Sequence, residues 1–218
     1  MFPIRDHNPS SRTPYVTYAL IVLNVVVFLQ TIPMFDNPYA LAGFFQTWAM
    51  VPLEISSGRS YSGLLTSMFL HGGYMHIIGN MLFLWIFGDN MEDAFGPVGF
   101  LVFYLASGVG AGLAQVAVAP ASVIPTVGAS GAIAGVLGGY LLLFPKAKVD
   151  ILFVFLVFFK VIPVPAWLML GLWFAFQLVD ASASDMAAGG VAYWAHAGGF
   201  VIGAVFTLPV LLKRLATG

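Results

Sequence analysis

The chain has 218 residues, of which 60% are hydrophobic and only 8% charged, with a mean hydropathy of +0.95 and a net charge of −1. A water-soluble domain carries about 25% charged residues, so this composition excludes a soluble surface and leaves an integral membrane protein with room for about six helical spans. The near-zero charge indicates no nucleic-acid partner, and the absence of cysteine removes disulfides, thiolate metal sites and cysteine nucleophiles together.

Residues 1–14 read as a polar N-terminal tail. Tyr15 to Thr31 follows Pro14 and is the first span. It lacks a small-residue cleavage site and so reads as a retained helix, and the lack of an Arg- and Ser-rich leader favours a prokaryotic cell membrane. A long mixed connection carries Trp48, Pro52, Glu54 and Arg59. Leu64 to Phe87 is the second span, interrupted at His71-Gly72-Gly73, and an acidic turn from Asp89 to Gly96 follows, in which Asp89, Glu92 and Asp93 cap helix ends. Pro97 suits the first turn of the third span, which runs to about Val118. The fourth span starts near Ser130 and stops at Phe144-Pro145. Trp167 to Val179 lies in the fifth and Tyr193 to Leu212 is the sixth, leaving 213–218 as a C-terminal tail. The expectation is an all-α, six-span bundle over residues 15–212, without a sequence repeat or a soluble domain.

Val149 to Ile162 is apolar, β-branched and aromatic, but too short for a span and flanked by Lys148 and Pro163. At that length it reads as an interfacial or re-entrant segment. Charge placement agrees. With six spans and an inner N-terminus, Arg5, Arg12, Lys146, Lys148, Lys160, Lys213 and Arg214 fall inside and only Arg59 outside, a strong positive-inside bias. Both termini are then cytoplasmic.

Polar groups within a bilayer are expensive, so each asks for a reason. The candidates are His71, His76 and Asn80 at the second span, Ser130 at the fourth and His196 at the sixth. Gln115 and Gln177 read as hydrogen-bonding glue between helices. Ser130 lies 16 residues before Lys146, and His196 lies 17 before Lys213. At about 1.5 Å per residue, both sit roughly 24–26 Å above the inner charged boundary of a core about 30 Å thick. His76, 16 residues before Glu92, lands near that layer too. Ser130 alone would be read as a helix-packing residue, and His196 alone equally as a buried hydrogen-bonder. Their shared depth is what points to chemistry.

Small residues say which helices touch. Gly131, Gly135 and Gly139 run at i, i+4, i+8 on the fourth span, while His196, Gly199 and Gly203 share a face of the sixth. Such stripes allow close backbone approach, which would bring Ser130 within hydrogen-bond reach of His196. A serine is a poor nucleophile without an adjacent base, and a histidine at matched depth supplies one. Pro125 and Gly128 make a helix start near Ser130 plausible, so that its backbone N–H is an unpaired donor at the positive end of the helix dipole. His76 and Asn80, four apart, can donate to an anion that develops in acyl transfer. A zinc protease would want H-E-x-x-H, which is absent. Asp89 and Asp180 lie at opposite ends of their spans and cannot form an aspartyl dyad. No metal or cofactor is called for.

Taken together, "TSMFLHGGYMHIIGNMLFLWIFGDNMED", "FYLASGVGAG", "GASGAIAGVLGGY" and "AYWAHAGGFVIGA" resemble the rhomboid family of intramembrane serine proteases, over about Trp48 to Gly203. The H-x4-H-x3-N, G-x-S-G and A-H-x-x-G-x3-G patterns occur in family order. The resemblance implies a six-span bundle with Ser130 as nucleophile and His196 as general base. It implies an oxyanion site from His76, Asn80 and the Ser130 backbone, with His71, Gly128 and Ala129 around it. It implies transmembrane proteins as substrates, a membrane-embedded connection from Pro33 to Ser60, and a gate and cap from the fifth span and the loop between Ala181 and Ala192. In some members a tyrosine four residues after the serine stacks on the histidine. That position is Ala134 here, so another group must orient His196.

Overall fold

The apolar runs fold as helices, which pair every interior backbone N–H and C=O within the segment, the requirement for crossing lipid. A computed structural model describes residues 2–155, 158–183 and 191–217. The chain begins with strand β1 (Phe2–Asp6) and helix α1 (Tyr15–Thr31). The connection that follows holds two helices, α2 (Pro38–Trp48) and α3 (Pro52–Ser56). A short α4 (Gly63–Thr66) leads into α5 (Tyr74–Phe95), then α6 (Pro97–Val118) and α7 (Ser130–Leu143). Strands β2 (Lys148–Phe155) and β3 (Phe158–Pro165) precede α8 (Ala166–Ala183) and α9 (Tyr193–Thr217).

Among the described residues, four helical segments are long and apolar enough to cross a membrane: Tyr15–Met34, Pro97–Val118, Ala166–Ala183 and Tyr193–Thr217. The other two expected spans are α5, which has 22 residues but carries His76, Asn80, Asp89, Asn90 and Glu92, and α7, which has only 14. The protein is a mostly helical, multi-pass membrane protein, with four of the six expected spans evident by length and composition alone.

The all-α expectation needs a correction. β1, β2 and β3 form an antiparallel sheet in that order. Most of the stretch read as an interfacial or re-entrant segment thus lies in two paired antiparallel strands, Lys148–Phe155 and Phe158–Pro165. Residues 2–6 are a strand of the same sheet and not part of a free tail. β-branched and aromatic residues suit a pleated surface, and Pro163 sits on β3, an edge strand where a missing N–H is tolerated. Arg5 Nε donates to Asp150 Oδ2 at 2.6 Å, and His7 Nε2 lies 2.9 Å from Asp150 Oδ1. The Tyr140 hydroxyl donates to Asp6 at 2.5 Å, tying the strand to α7.

The expected acidic turn is also different. Helix α5 continues through Asp89, Glu92 and Asp93, and the chain reverses at Gly96, whose φ of +73° favours glycine. Buried Glu92 accepts the backbone N–H groups of Val16 and Thr17 at 3.0 and 2.8 Å and the Thr17 hydroxyl at 2.9 Å. It satisfies first-turn donors of α1, which has no side-chain cap of its own. A capping role for this acid is therefore what the structure shows, applied to a helix distant in sequence.

Helix α7 is the centre of the molecule. Every residue from Ala132 to Tyr140 is buried, against α5, α6 and α9. Close approach to α9 depends on Gly199 and Gly203: a Cβ on either would run into the carbonyl oxygen of Gly131 or Gly135 respectively. The glycines of α7 divide their work in a way the stripe did not suggest. A Cβ on Gly131 or Gly135 would press on α6, 2.7 Å from Ala111 Cβ or 2.5 Å from Ser107 Cβ. One on Gly139 would lie 2.6 Å from Thr207 Oγ1 of α9, and Gly138, outside the expected stripe, faces the Phe200 backbone.

Candidate active site

Ser130 is the first residue of α7 and His196 lies one turn into α9. The backbone contact at Gly131 and Gly199 holds the two side chains together. His196 Nε2 is 2.8 Å from Ser130 Oγ, across 66 residues of sequence. His196 Nδ1 lies 2.7 Å from the side-chain oxygen of Gln177, on α8. Trp173, also on α8, brings its ring to 6.1 Å from the imidazole at an interplanar angle of 31°, and Tyr193 approaches edge-on at 6.4 Å. Ala134, which has no ring to stack on the histidine, is fully buried inside α7. The other groups that the sequence called for come from α8 and α9.

Ser130, His196, His76 and Gly128 all line one cavity of about 580 Å³. Gly128 has a φ of +127°, a conformation L side chains rarely adopt. Its N–H donates to the Ser67 carbonyl at 2.9 Å, which fixes the loop entering α7. The position a Cβ would take on Gly128 is 2.7 Å from His76 Nε2 and 3.4 Å from Ser130 Oγ. Glycine therefore keeps open a space that both side chains border. Ala129, fully buried, is the N-cap residue of α7 and offers no side-chain cap, and the Ser130 N–H belongs to the first turn, where no preceding helical carbonyl is available to it.

The remaining candidates lie behind His76. His71 is fully buried with its ring edge-on to His76 at 5.0 Å, which makes it a buttress for that ring. Asn80 is buried, and its Nδ2 donates to the His76 carbonyl one turn earlier at 2.8 Å. One of its two amide hydrogens is thus committed to its own helix. Of the expected cap, residues 184–190 lie outside the described residues. Gln177 is the functional candidate that the sequence reading took for glue. Its signal was being the lone polar side chain between Ala166 and Val179.

With this geometry in place, similarity to known proteins is decisive. The rhomboid domain family model matches residues 58–213. The chain belongs to the rhomboid family. It is 32% identical over 198 residues to "Rhomboid protein 1, mitochondrial" of Saccharomyces cerevisiae, covering 88% of this chain and 52% of that one. It is 35% identical over 130 residues to "Rhomboid protease GluP" of Bacillus subtilis, covering 59% and 24%. It is 35% identical over 168 residues to "RHOMBOID-like protein 6, mitochondrial" of Arabidopsis thaliana, covering 63% and 54%. This rhomboid chain spans about half or less of the length of these relatives. The matched region includes every candidate site residue from His71 to His196.

Proposed function

We propose that the protein is an intramembrane serine endopeptidase that cleaves other membrane proteins within or beside their transmembrane segments, using a Ser130–His196 dyad. The observation that carries this reading is the 2.8 Å contact between Ser130 Oγ and His196 Nε2 at the wall of a cavity. The family membership and the named protease among the relatives support it. In the reaction, Ser130 Oγ attacks the scissile carbonyl carbon while His196 Nε2 takes the hydroxyl proton. Negative charge collects on the carbonyl oxygen, which is received by the Ser130 N–H, His76 Nε2–H and Asn80. Collapse of the intermediate breaks the C–N bond, and the proton on Nε2 passes to the leaving amine. Water then loses a proton to His196 and attacks the Ser130 ester; the acyl C–Oγ bond breaks, the proton on Nε2 returns to Ser130 Oγ, and the acid product leaves. Six spans with both termini on the inner side fit the charge distribution. In that arrangement α5 and short α7 cross with the shielding of their neighbours, and the cavity admits the water that hydrolysis needs.

The test is cleavage of a panel of single-span proteins by purified protein in liposomes. Ser130→Ala and His196→Ala each lower turnover by about 10⁴-fold or more while the thermal unfolding profile is kept. Normal turnover by Ser130→Ala sinks the proposal.

A further inference from the structure

We propose that Gln177 is the positioning residue of this site: it fixes the tautomer and ring plane of His196, and so makes the dyad's competence depend on the seating of α8. This rests on the dyad reading above. An amide oxygen can only accept a hydrogen bond. The 2.7 Å contact from Gln177 Oε1 to His196 Nδ1 therefore requires a proton on Nδ1. In the neutral ring Nε2 then carries the lone pair, aimed at Ser130 Oγ at 2.8 Å, and the serine hydroxyl must donate to it. That is the one tautomer in which His196 can take the serine proton. The opposite tautomer would present an N–H to Ser130 and leave it without a base.

Gln177 occupies the place that a carboxylate fills in a three-membered catalytic set, but as a neutral acceptor. It orients the ring and steadies the imidazolium through a dipole, without a second buried charge in the bundle. Its backbone lies on α8, whose buried residues are only Ala166, Leu170, Gln177 and Ala181. Ser130 and His196, by contrast, are on helices locked by backbone contact. A displacement of α8 therefore removes the partner of Nδ1 while leaving the Ser130–His196 distance to the α7–α9 seam. Among the described residues, the other titratable groups facing the ring are His76 from α5 and Tyr193 from α9, neither of which brings a carboxylate.

The experiment measures the rate of labelling by a small fluorophosphonate, as a function of pH, for wild type, Gln177→Leu, Gln177→Glu and Ser130→Ala. The small probe reports the nucleophile without requiring a transmembrane substrate to dock past α8. Gln177→Leu is expected to label about 10- to 100-fold more slowly, part of the roughly 10²- to 10⁴-fold that a placed general base contributes. Gln177→Glu keeps the shape and the acceptor, so it labels within a fewfold of wild type at its optimum. Its carboxylate stabilises the imidazolium and moves the acid limb of the profile up by about 1–2 pH units. Two results would overturn the inference. One is a wild-type rate in folded Gln177→Leu. The other, decisive even if the Leu variant does not fold, is a Glu variant whose acid limb stays in place. A Ser130→Ala protein that still labels at the wild-type rate defeats the dyad reading itself, which separates the two failures.

Discussion

Helices α7 and α8 both reach His196, and they are held in opposite ways. Helix α7 is buried along nine consecutive residues, and its backbone lies directly against Gly199 and Gly203 of α9. Helix α8 buries four of its 18 residues and leaves Trp167, Leu172, Phe176 and Val179 exposed. Close-packed interiors change in discrete steps when an atom is added, whereas an element with few buried contacts opens locally at little cost. The proposed nucleophile is therefore mounted on the rigid helix, and the second partner of the proposed base on the loosely held one. Stability and catalysis should respond differently to changes on the two sides.

The largest effect is expected at the seam. Gly199→Val drives a branched side chain into the Gly131 carbonyl, and should cost at the upper end of the about 1–3 kcal/mol seen for overpacked cores. Thermal unfolding in detergent measures it, and cleavage should fall with it. Gly128→Ala comes next. Its Cβ would sit 2.7 Å from His76 Nε2 in a backbone conformation strained for alanine. Turnover should drop about 100-fold, as for displacement of a catalytic group by about 1 Å, with a smaller loss of stability. Removal of the proposed anion donors separates front from back. His76→Ala should lower kcat by about 10²- to 10³-fold, the usual range for one such donor. Asn80→Ala should cost less than His76→Ala, because the Asn80 amide already spends one hydrogen on the His76 carbonyl. Steady-state kinetics on a single-span substrate ranks the two.

On α8 a side chain added to a glycine should do no harm. Gly171 has nothing within 4 Å of the position a Cβ would take, so Gly171→Ala should not destabilise and should add at most about 1 kcal/mol from helix propensity. A destabilisation matching Gly199→Val would erase the contrast between the helices. The smallest effect concerns the sheet. The hydrogen bond from Arg5 holds the Asp150 carboxyl below the ordinary carboxylate range, with His7 adding to it. A lowered folded-state pKa contributes stability that is complete above the ordinary value and fades as pH falls through the lowered one. Wild type should therefore lose more unfolding temperature than Asp150→Asn between neutral pH and about pH 3. Equal losses would show that the pair contributes nothing.

The helices were legible because apolar runs bounded by Pro, Gly and charges carry their own boundaries. The meeting of Ser130, His76 and His196 was legible because residue counts convert to depth in a helical bundle. The sheet was not, since its first pairing joins Arg5 to Asp150, 145 residues apart, and no local period announces such a partner. The β-branched run at Val149 to Ile162 held half of the signal, but a short hairpin and a short apolar helix look alike without their neighbour. Glu92 was read correctly as a cap, yet which helix it serves is a tertiary fact. Gln177 shows the limit most clearly. A lone amide in an apolar helix signals a polar partner, but only the crossing of α8 past α9 reveals that the partner is the imidazole.

The central claim is that the α7–α9 seam makes Ser130 a nucleophile activated by His196. Mass spectrometry after fluorophosphonate treatment of the purified protein tests it most directly. The account predicts a single adduct on Ser130, which His196→Ala slows by at least about 100-fold in protein that still unfolds cooperatively. An adduct on another residue, or undiminished labelling of Ser130 in folded His196→Ala, would contradict it.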